Sequence, residues 1–255
     1  MDDPIEAGPG SLAQGWEDRA ASWLAWARTP GFDAYWAYRD FFFEEMVPPP
    51  GAATLEIGCG EGRVSRDLVG RRHDLTAIDP SPSLLAAAAA LDQRSRYLVA
   101  SAEQLPFADG TFDLVVAYNV LMDVADMPRA LAEAARVMTD GGHLSVCVTH
   151  PLSDAGDFAG SGPDASFEIQ GAYLGKRWVS AHLERGGLEM EFDGWAFDLE
   201  SYSRALEACG LGFEKIREPR PRGGGDPRRD RIPNFLMFSA VRHGPRDGRR
   251  AGYSR

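Results

Sequence analysis

The chain of 255 residues is poor in lysine, with only Lys176 and Lys215, and poor in cysteine, with Cys59, Cys147 and Cys209. Three widely spaced cysteines cannot build a disulfide framework, so reduced thiols and a cytoplasmic location are expected. No CxxC or HExxH spacing occurs, which leaves a structural zinc or zincin site without support, and no metal is expected. The longest apolar run, residues 84–91, is too short to span a bilayer. Asp2 and Asp3 oppose a basic leader and no apolar segment follows them, so no signal peptide is expected. Positive charge is outweighed, 27 basic residues against 38 acidic, and the net charge of -11 argues against a protein that coats nucleic acid or an anionic membrane. What remains is an ordinary globular composition, 44% hydrophobic and 25% charged, long enough for one real core. The charge is uneven: residues 216–255 hold 11 arginines against 4 acids and read as a solvated basic end.

Along the chain, residues 1–14 are small and polar and are expected to be mobile. In residues 15–50, Trp16, Ala20, Trp23, Leu24 and Ala27 recur at helical spacing until Thr29-Pro30-Gly31. A second helix, 32–46, runs into Pro48-Pro49-Pro50-Gly51. Trp16, Trp23, Trp26, Phe32, Tyr35, Trp36 and Tyr38 fall within 23 positions, a stripe that can pack as core while its edge forms a lid, with Tyr35 and Tyr38 facing an acceptor. Residues 51–242 then alternate. Strands are expected at 54–57, 75–78, 97–100, 112–118 and 144–149, and helices at 63–69, 83–91 and 128–138. Ser81 and Asp126 read as helix N-caps, and Gly141 as a helix stop. Apolar strands separated by helices indicate an α/β fold, a parallel sheet covered on both faces. Residues 151–196 interrupt it as a loop and β-hairpin (178–183 and 188–192) inserted after the fifth strand. A helix at 199–208 and strands at 213–217 and 235–241 complete the domain, and 243–255 are expected to form a mobile basic tail.

Leu55-Glu56-Ile57-Gly58-Cys59-Gly60-Glu61-Gly62 is the most informative segment. A strand ends in close-set glycines and a helix follows at once, so backbone can approach a ligand with no Cβ in the way. The dinucleotide fingerprint would need glycine at 63, where the chain has Arg63, so a nicotinamide-dependent oxidoreductase is disfavoured. Asp79 closes the second strand 19 residues past Gly60, where an acid can bind both hydroxyls of a ribose; as a bland alternative it caps the turn before Ser81. With LEIGCGEG at 55–62, AIDPSPSLL at 77–85, SAEQLPFADGTFDLVVAYNVLMDV at 101–124 and ALAEAARVMTDGGHLSVCVTHP at 130–151, the chain resembles the class I S-adenosylmethionine-dependent methyltransferases, type 11 group.

That resemblance covers about residues 50–150 and implies a Rossmann-like, seven-stranded, mostly parallel sheet with S-adenosylmethionine as cofactor and S-adenosylhomocysteine as product. It places Glu56, Gly58, Cys59 and Gly60 at the methionine moiety, Asp79 at the ribose, and Pro80 beside the adenine. Ser101, Ala102 and Glu103 fall at the adenine edge, where relatives often carry an aspartate at 101; Ser101, Glu103 or backbone alone makes that contact here. Tyr118 and Asn119 fall where methionine and acceptor meet. Methyl transfer is an in-line displacement that needs alignment and exclusion of water, and a base only if the acceptor must lose a proton. His150, directly after the fifth strand, is the leading candidate base, with a strand-capping role as its bland alternative. Asp123, Tyr118 and His182 are weaker candidates, and Arg19 or Arg39 could reach a carboxylate. The segment Tyr118-Asn119-Val120-Leu121 lacks the N/D-P-P-Y/F run of amino-methylating nucleic-acid enzymes, so a small-molecule acceptor is expected, with no nucleic acid and no membrane. Richness in alanine and arginine resembles a GC-rich bacterial genome and hints at a specialised metabolite. A non-catalytic S-adenosylmethionine-binding protein is the main alternative, and the oligomeric state stays open, a homodimer included.

Overall fold

Runs of apolar residues mark strands buried on both faces, and each such run joins one sheet. The computed structural model describes residues 11–223 and 226–242. It opens with three helices, α1 (Leu12–Asp18), α2 (Ala20–Arg28) and α3 (Tyr35–Glu45). There follow β1 (Thr54–Ile57), α4 (Arg63–Gly70), β2 (Leu75–Asp79), α5 (Pro82–Ala89), β3 (Arg96–Val99) and β4 (Phe112–Tyr118). Next come α6 (Met127–Val137), β5 (Met138–Thr149), and two short strands, β6 (Gly156–Phe158) and β7 (Phe167–Ile169). The chain ends with the hairpin β8 (Arg177–Arg185) and β9 (Leu188–Ala196), α7 (Leu199–Ala208), β10 (Leu211–Arg217) and β11 (Phe235–Arg242).

Seven strands form the main sheet in the order β10-β11-β5-β4-β1-β2-β3, with β11 alone running against its neighbours. The expected α/β architecture is therefore present, hairpin included. Alternation along β4 divides the core: Val115 and Ala117 join α6 and α7 on one face, while Leu114, Val116 and Tyr118 join α3, α4 and α5 on the other. The N-caps behave as their residue types require, Ser81 Oγ accepting from the Leu84 N–H at 3.2 Å and Asp126 Oδ1 from the Arg129 N–H at 3.0 Å.

Several boundaries differ from the sequence expectation. Helix starts at Leu12, so 12–14 are ordered; residues 1–10 and the tail 243–255 lie outside the described residues. The first helix is two, broken where Arg19 leaves helical geometry (φ -95, ψ 5) and its Nη1 reaches Asp193 Oδ2 at 3.0 Å. The aromatic α3 packs on the sheet, with Tyr35, Tyr38, Phe42 and Phe43 buried in the core; of the two tyrosines expected to face the acceptor, Tyr38 also lines the cavity described below and Tyr35 does not. Gly141 (φ +77) does not end a helix but lies within β5, whose first residues pair irregularly with β4. The basic stretch is not an appendage either, since β11 sits inside the sheet and Arg222 and Arg242 pair with Glu44 and Asp140. No helix among the described residues is long and apolar enough to cross a membrane.

Candidate functional site

At the carboxyl edge of β1 the chain turns through Gly58, Gly60 and Gly62, all at positive φ (68°, 53° and 81°). A Cβ on Gly58 would lie 2.3 Å from Val120 Cγ2, and one on Gly62 2.8 Å from Ala88 Cβ, so both glycines are required by close packing. Gly60 differs: its missing Cβ faces the Trp23 indole nitrogen, 3.5 Å away across an opening. Asp79 holds this turn in place, Oδ2 accepting from the Gly60 N–H at 2.8 Å and Oδ1 from the Ser81 N–H at 2.9 Å. Burial pushes its carboxyl up to about 6 despite those two donors. Glu56 is deeper still: burial raises it to about 8, against the pull of the Ser65 hydroxyl, which donates at 2.5 Å. The Cys59 thiol is buried and pushed well above its usual range, which keeps it un-ionised.

The glycine turn opens into a cavity of about 1500 Å³. Its near side carries Glu56, Gly58, Cys59, Gly60, Asp79, Pro80, Ser101, Ala102, Glu103, Tyr118 and Asn119, so the structure gathers the whole expected cofactor set. Glu103 is partly occupied: Oε1 accepts from the Ala125 and Asp126 N–H groups at 2.9 and 3.3 Å, and the Ser101 hydroxyl donates to its other oxygen. Asn119 turns the chain at φ +51, its N–H donating to the Cys147 carbonyl at 2.7 Å. Tyr118, Asn119 and Trp16 all line the cavity; the Tyr118 phenol turns to the Cys147 thiol and the Trp16 indole to Asp123, while Asn119 Oδ1 is buried with no hydrogen-bond partner among the described residues. Buried polar atoms are almost always paired, so the Asn119 oxygen is a group for a bound ligand to satisfy.

A roof of α1, α2 and the β8–β9 hairpin covers the opening. Glu17 of α1 clasps the start of α5, accepting from the Ser81 and Ser83 hydroxyls at 2.5 Å each and from the Ser83 N–H at 3.2 Å; those donors hold it below its usual range. Arg28 of α2 reaches Glu61 of the glycine turn at 3.3 Å. At the hairpin tip, Arg185 donates to the Gly31 and Phe32 carbonyls at 2.8 and 3.1 Å. Trp23 and Trp26 meet Phe192 of β9 edge-on at 6.1 and 6.3 Å. Below them Arg63 pairs with Asp33 at 2.9 Å and lies under the Trp23 and Tyr35 rings. All six tryptophans of the chain line this one cavity.

Comparison with known proteins agrees with this geometry. A family model for the methyltransferase domain matches residues 55–146. The chain is 27% identical over 206 residues to a 2-phytyl-1,4-naphtoquinone methyltransferase of Thermosynechococcus vestitus, 76% of this chain and 86% of that one. It is 34% identical to the malonyl-(acyl-carrier protein) O-methyltransferase of Serratia marcescens over 42% of this chain, spanning 43% of that relative. The crystal structure of an S-adenosylmethionine-dependent methyltransferase of Mesorhizobium loti shares the fold, with a TM-score of 0.63 and 22% identity over 82% of this chain and 98% of that one. These matches identify an S-adenosylmethionine-dependent methyltransferase, with the methyltransferase-domain family matched over residues 55–146.

In this methyltransferase the residues expected on the acceptor side are redistributed. His150 does not line the cavity. It is buried, its Nδ1 accepts from the Leu152 N–H at 3.0 Å, and its Nε2 lies 2.8 Å from Glu218 Oε1. Burial holds the imidazole below its usual range, against the opposing pull of Glu218, so a neutral ring has both nitrogens engaged and none free for a proton. What His150 does is shape the turn that follows, its carbonyl also accepting from the Asp154 N–H at 3.1 Å. That turn presents Asp154 to the cavity, a residue that sequence reasoning missed. Burial raises the Asp154 carboxyl to about 6, with Thr149, Arg177 and Arg229 pulling it down. His182 stands on the hairpin outside the cavity, 4.0 Å from Glu191. Asp123 does line the cavity, pushed well above the carboxylate range by burial. Burial likewise keeps the Tyr118 phenol un-ionised. Neither arginine expected to reach a carboxylate lines the cavity: Arg19 is paired with Asp193, and Arg39 with Asp40 and Asp67.

Proposed function

We propose that this methyltransferase methylates a small-molecule acceptor, a specialised metabolite, in the cytoplasm, by in-line displacement. The observation that carries the reading is the Gly58–Gly60 turn braced by Asp79, open to a cavity of about 1500 Å³ that gathers Glu56, Pro80, Ser101, Ala102, Glu103 and Asn119 around it. Three thiols that are all free support the reducing compartment. Bound S-adenosylmethionine supplies an electrophilic methyl group whose sulfur leaves as a neutral thioether. Glu56, Gly58, Cys59 and Gly60 frame the methionine moiety, and Asn119, beside Tyr118, offers it an unpartnered side-chain oxygen. Asp79 keeps lone pairs for the ribose hydroxyls beyond the two it gives to backbone N–H groups. Pro80, Ser101, Ala102 and Glu103 border the adenine. The roof of α1, α2 and hairpin acts as the lid that excludes water, while α3 belongs to the sheet.

Asp154 takes the place first given to His150. A half-buried carboxyl near 6 is ionised at neutral pH yet basic enough to take a proton from a protic acceptor. Titration calorimetry with S-adenosylhomocysteine tests the cofactor half of this reading: binding is expected, and no heat from folded protein overturns it. A radiolabelled-methyl assay over a metabolite panel tests turnover, and binding without any transfer would leave a non-catalytic binding protein.

A further inference from the structure

The cavity is larger than its cofactor side. At about 1500 Å³ it exceeds the roughly 300–1,000 Å³ that holds one drug-sized ligand, so a sizeable acceptor fits beside the cofactor. The far wall is the β8–β9 hairpin, and its register sorts the two faces. Val179 pairs with Gly194 and Ala181 with Phe192, and these four, with Leu183, line the cavity. Ser180, His182 and Glu184 alternate onto the other face. Over this stretch the inward side chains are apolar, and the charged groups that flank it are already engaged, Arg185 by the Gly31 and Phe32 carbonyls and Asp193 by Arg19. Leu183 is 46% exposed and Trp36 45%, and both line the cavity, large apolar groups that the fold leaves uncovered. Polar groups return at one end, where Ser153, Asp154 and Arg229 line the cavity and Arg229 donates to Ser153 Oγ at 2.6 Å.

Resting on the methyl-transfer reading above, we propose that the acceptor is a polycyclic aromatic compound bearing a hydroxyl group. Its ring system lies against the hairpin face and Trp36, and its hydroxyl points to Asp154. Flat rings suit these walls better than a flexible chain does. Aromatic side chains gain edge-to-face and offset contacts with another ring beyond the area buried, and a rigid ring loses little conformational freedom on binding.

The test is calorimetry at saturating S-adenosylhomocysteine with two probes of one carbon skeleton, 2-naphthol and its saturated counterpart 2-decalol. We expect naphthol to bind at least about tenfold more tightly, which is 1.4 kcal/mol. Trp36→Ala and Leu183→Glu should each weaken naphthol at least about fivefold without changing S-adenosylhomocysteine affinity, and Trp36→Phe should restore it. Both side chains are exposed, so neither variant threatens folding. Equal affinity for the two probes, no binding of naphthol, or naphthol affinity untouched by both variants overturns the proposal while the cofactor reading stands. Failure of S-adenosylhomocysteine itself to bind overturns the methyl-transfer reading, and this one with it.

Discussion

The floor and the roof of the cavity are built by opposite means. The floor is backbone and buried carboxylate: Asp79 gathers two amide donors, Glu56 is enclosed beside Ser65, and Gly58 leaves no room for a Cβ. The roof is held by side chains, with Glu17 on two serines, Arg28 on Glu61 and Arg185 on two carbonyls at its rim, and Trp23 and Trp26 edge-on to Phe192 beneath. Backbone contacts in a buried setting cannot be released singly without leaving polar groups unpaired. Exposed charge pairs are worth little each and can be exchanged for water. The floor is thus shaped in advance for one ligand, and the roof is free to open over it.

The sharpest way to break this contrast is a methyl group on each side. Gly58→Ala should cost about 3 kcal/mol and abolish S-adenosylhomocysteine binding, because φ is +68 and Val120 Cγ2 stands 2.3 Å from the new atom. Gly31→Ala at the roof hinge, φ +76 but in open space, should cost about 1 kcal/mol, and thermal unfolding compares the two. Next in size, Asp154→Asn should lower kcat about a hundredfold with a turned-over acceptor. Wild-type rate should rise with pH through about 6 and the variant should lose that limb, whereas His150→Gln should keep it. Asp79→Ala should weaken S-adenosylhomocysteine at least about tenfold by calorimetry, the loss of a charged hydrogen bond; unchanged affinity would remove Asp79 from the ribose. Smallest of all, Glu17→Gln should leave cofactor affinity within about threefold and show itself as faster proteolysis within residues 12–28.

Floor and roof should also answer pH in opposite senses. Glu56, raised to about 8, keeps its proton in the fold where the unfolded chain, near 4.5, has lost it, so its contribution to stability falls as pH rises between those values. Glu17 is held below 4.5, so its clasp is intact above that value and is lost as pH falls through the lower folded one. Acid below about 4.5 should therefore loosen the roof before the floor. Hydrogen exchange of α1 against β1 at descending pH measures this, and simultaneous loss of protection would contradict it.

Much of the floor was legible in the sequence because backbone demands are written into residue type. Only glycine suits positions 58, 60 and 62 of the turn, and Ser81 and Asp126 announce their helices. The acceptor side was less legible. An imidazole in water titrates near neutral pH, but nothing local to His150 foretold that Leu152 and Glu218 would engage both nitrogens. Asp154 owes its raised carboxyl to burial, moderated by Thr149 and by Arg177 and Arg229, which are distant in the chain. Glu17 finds its serines 64 and 66 residues away, so no spacing rule could have paired them. The aromatic stripe at 16–38 was visible, yet periodicity alone could not divide it between roof and sheet.

One arrangement has an optical consequence. Because all six tryptophans line a single cavity, the indole emission of this chain carries no background from elsewhere in the fold. Entry of a ligand, lifting of the roof and collapse of the hairpin each change the polarity around those rings, while the sheet beneath, bare of tryptophan, stays dark. The molecule carries its own gauge of whether the cavity is filled and shut.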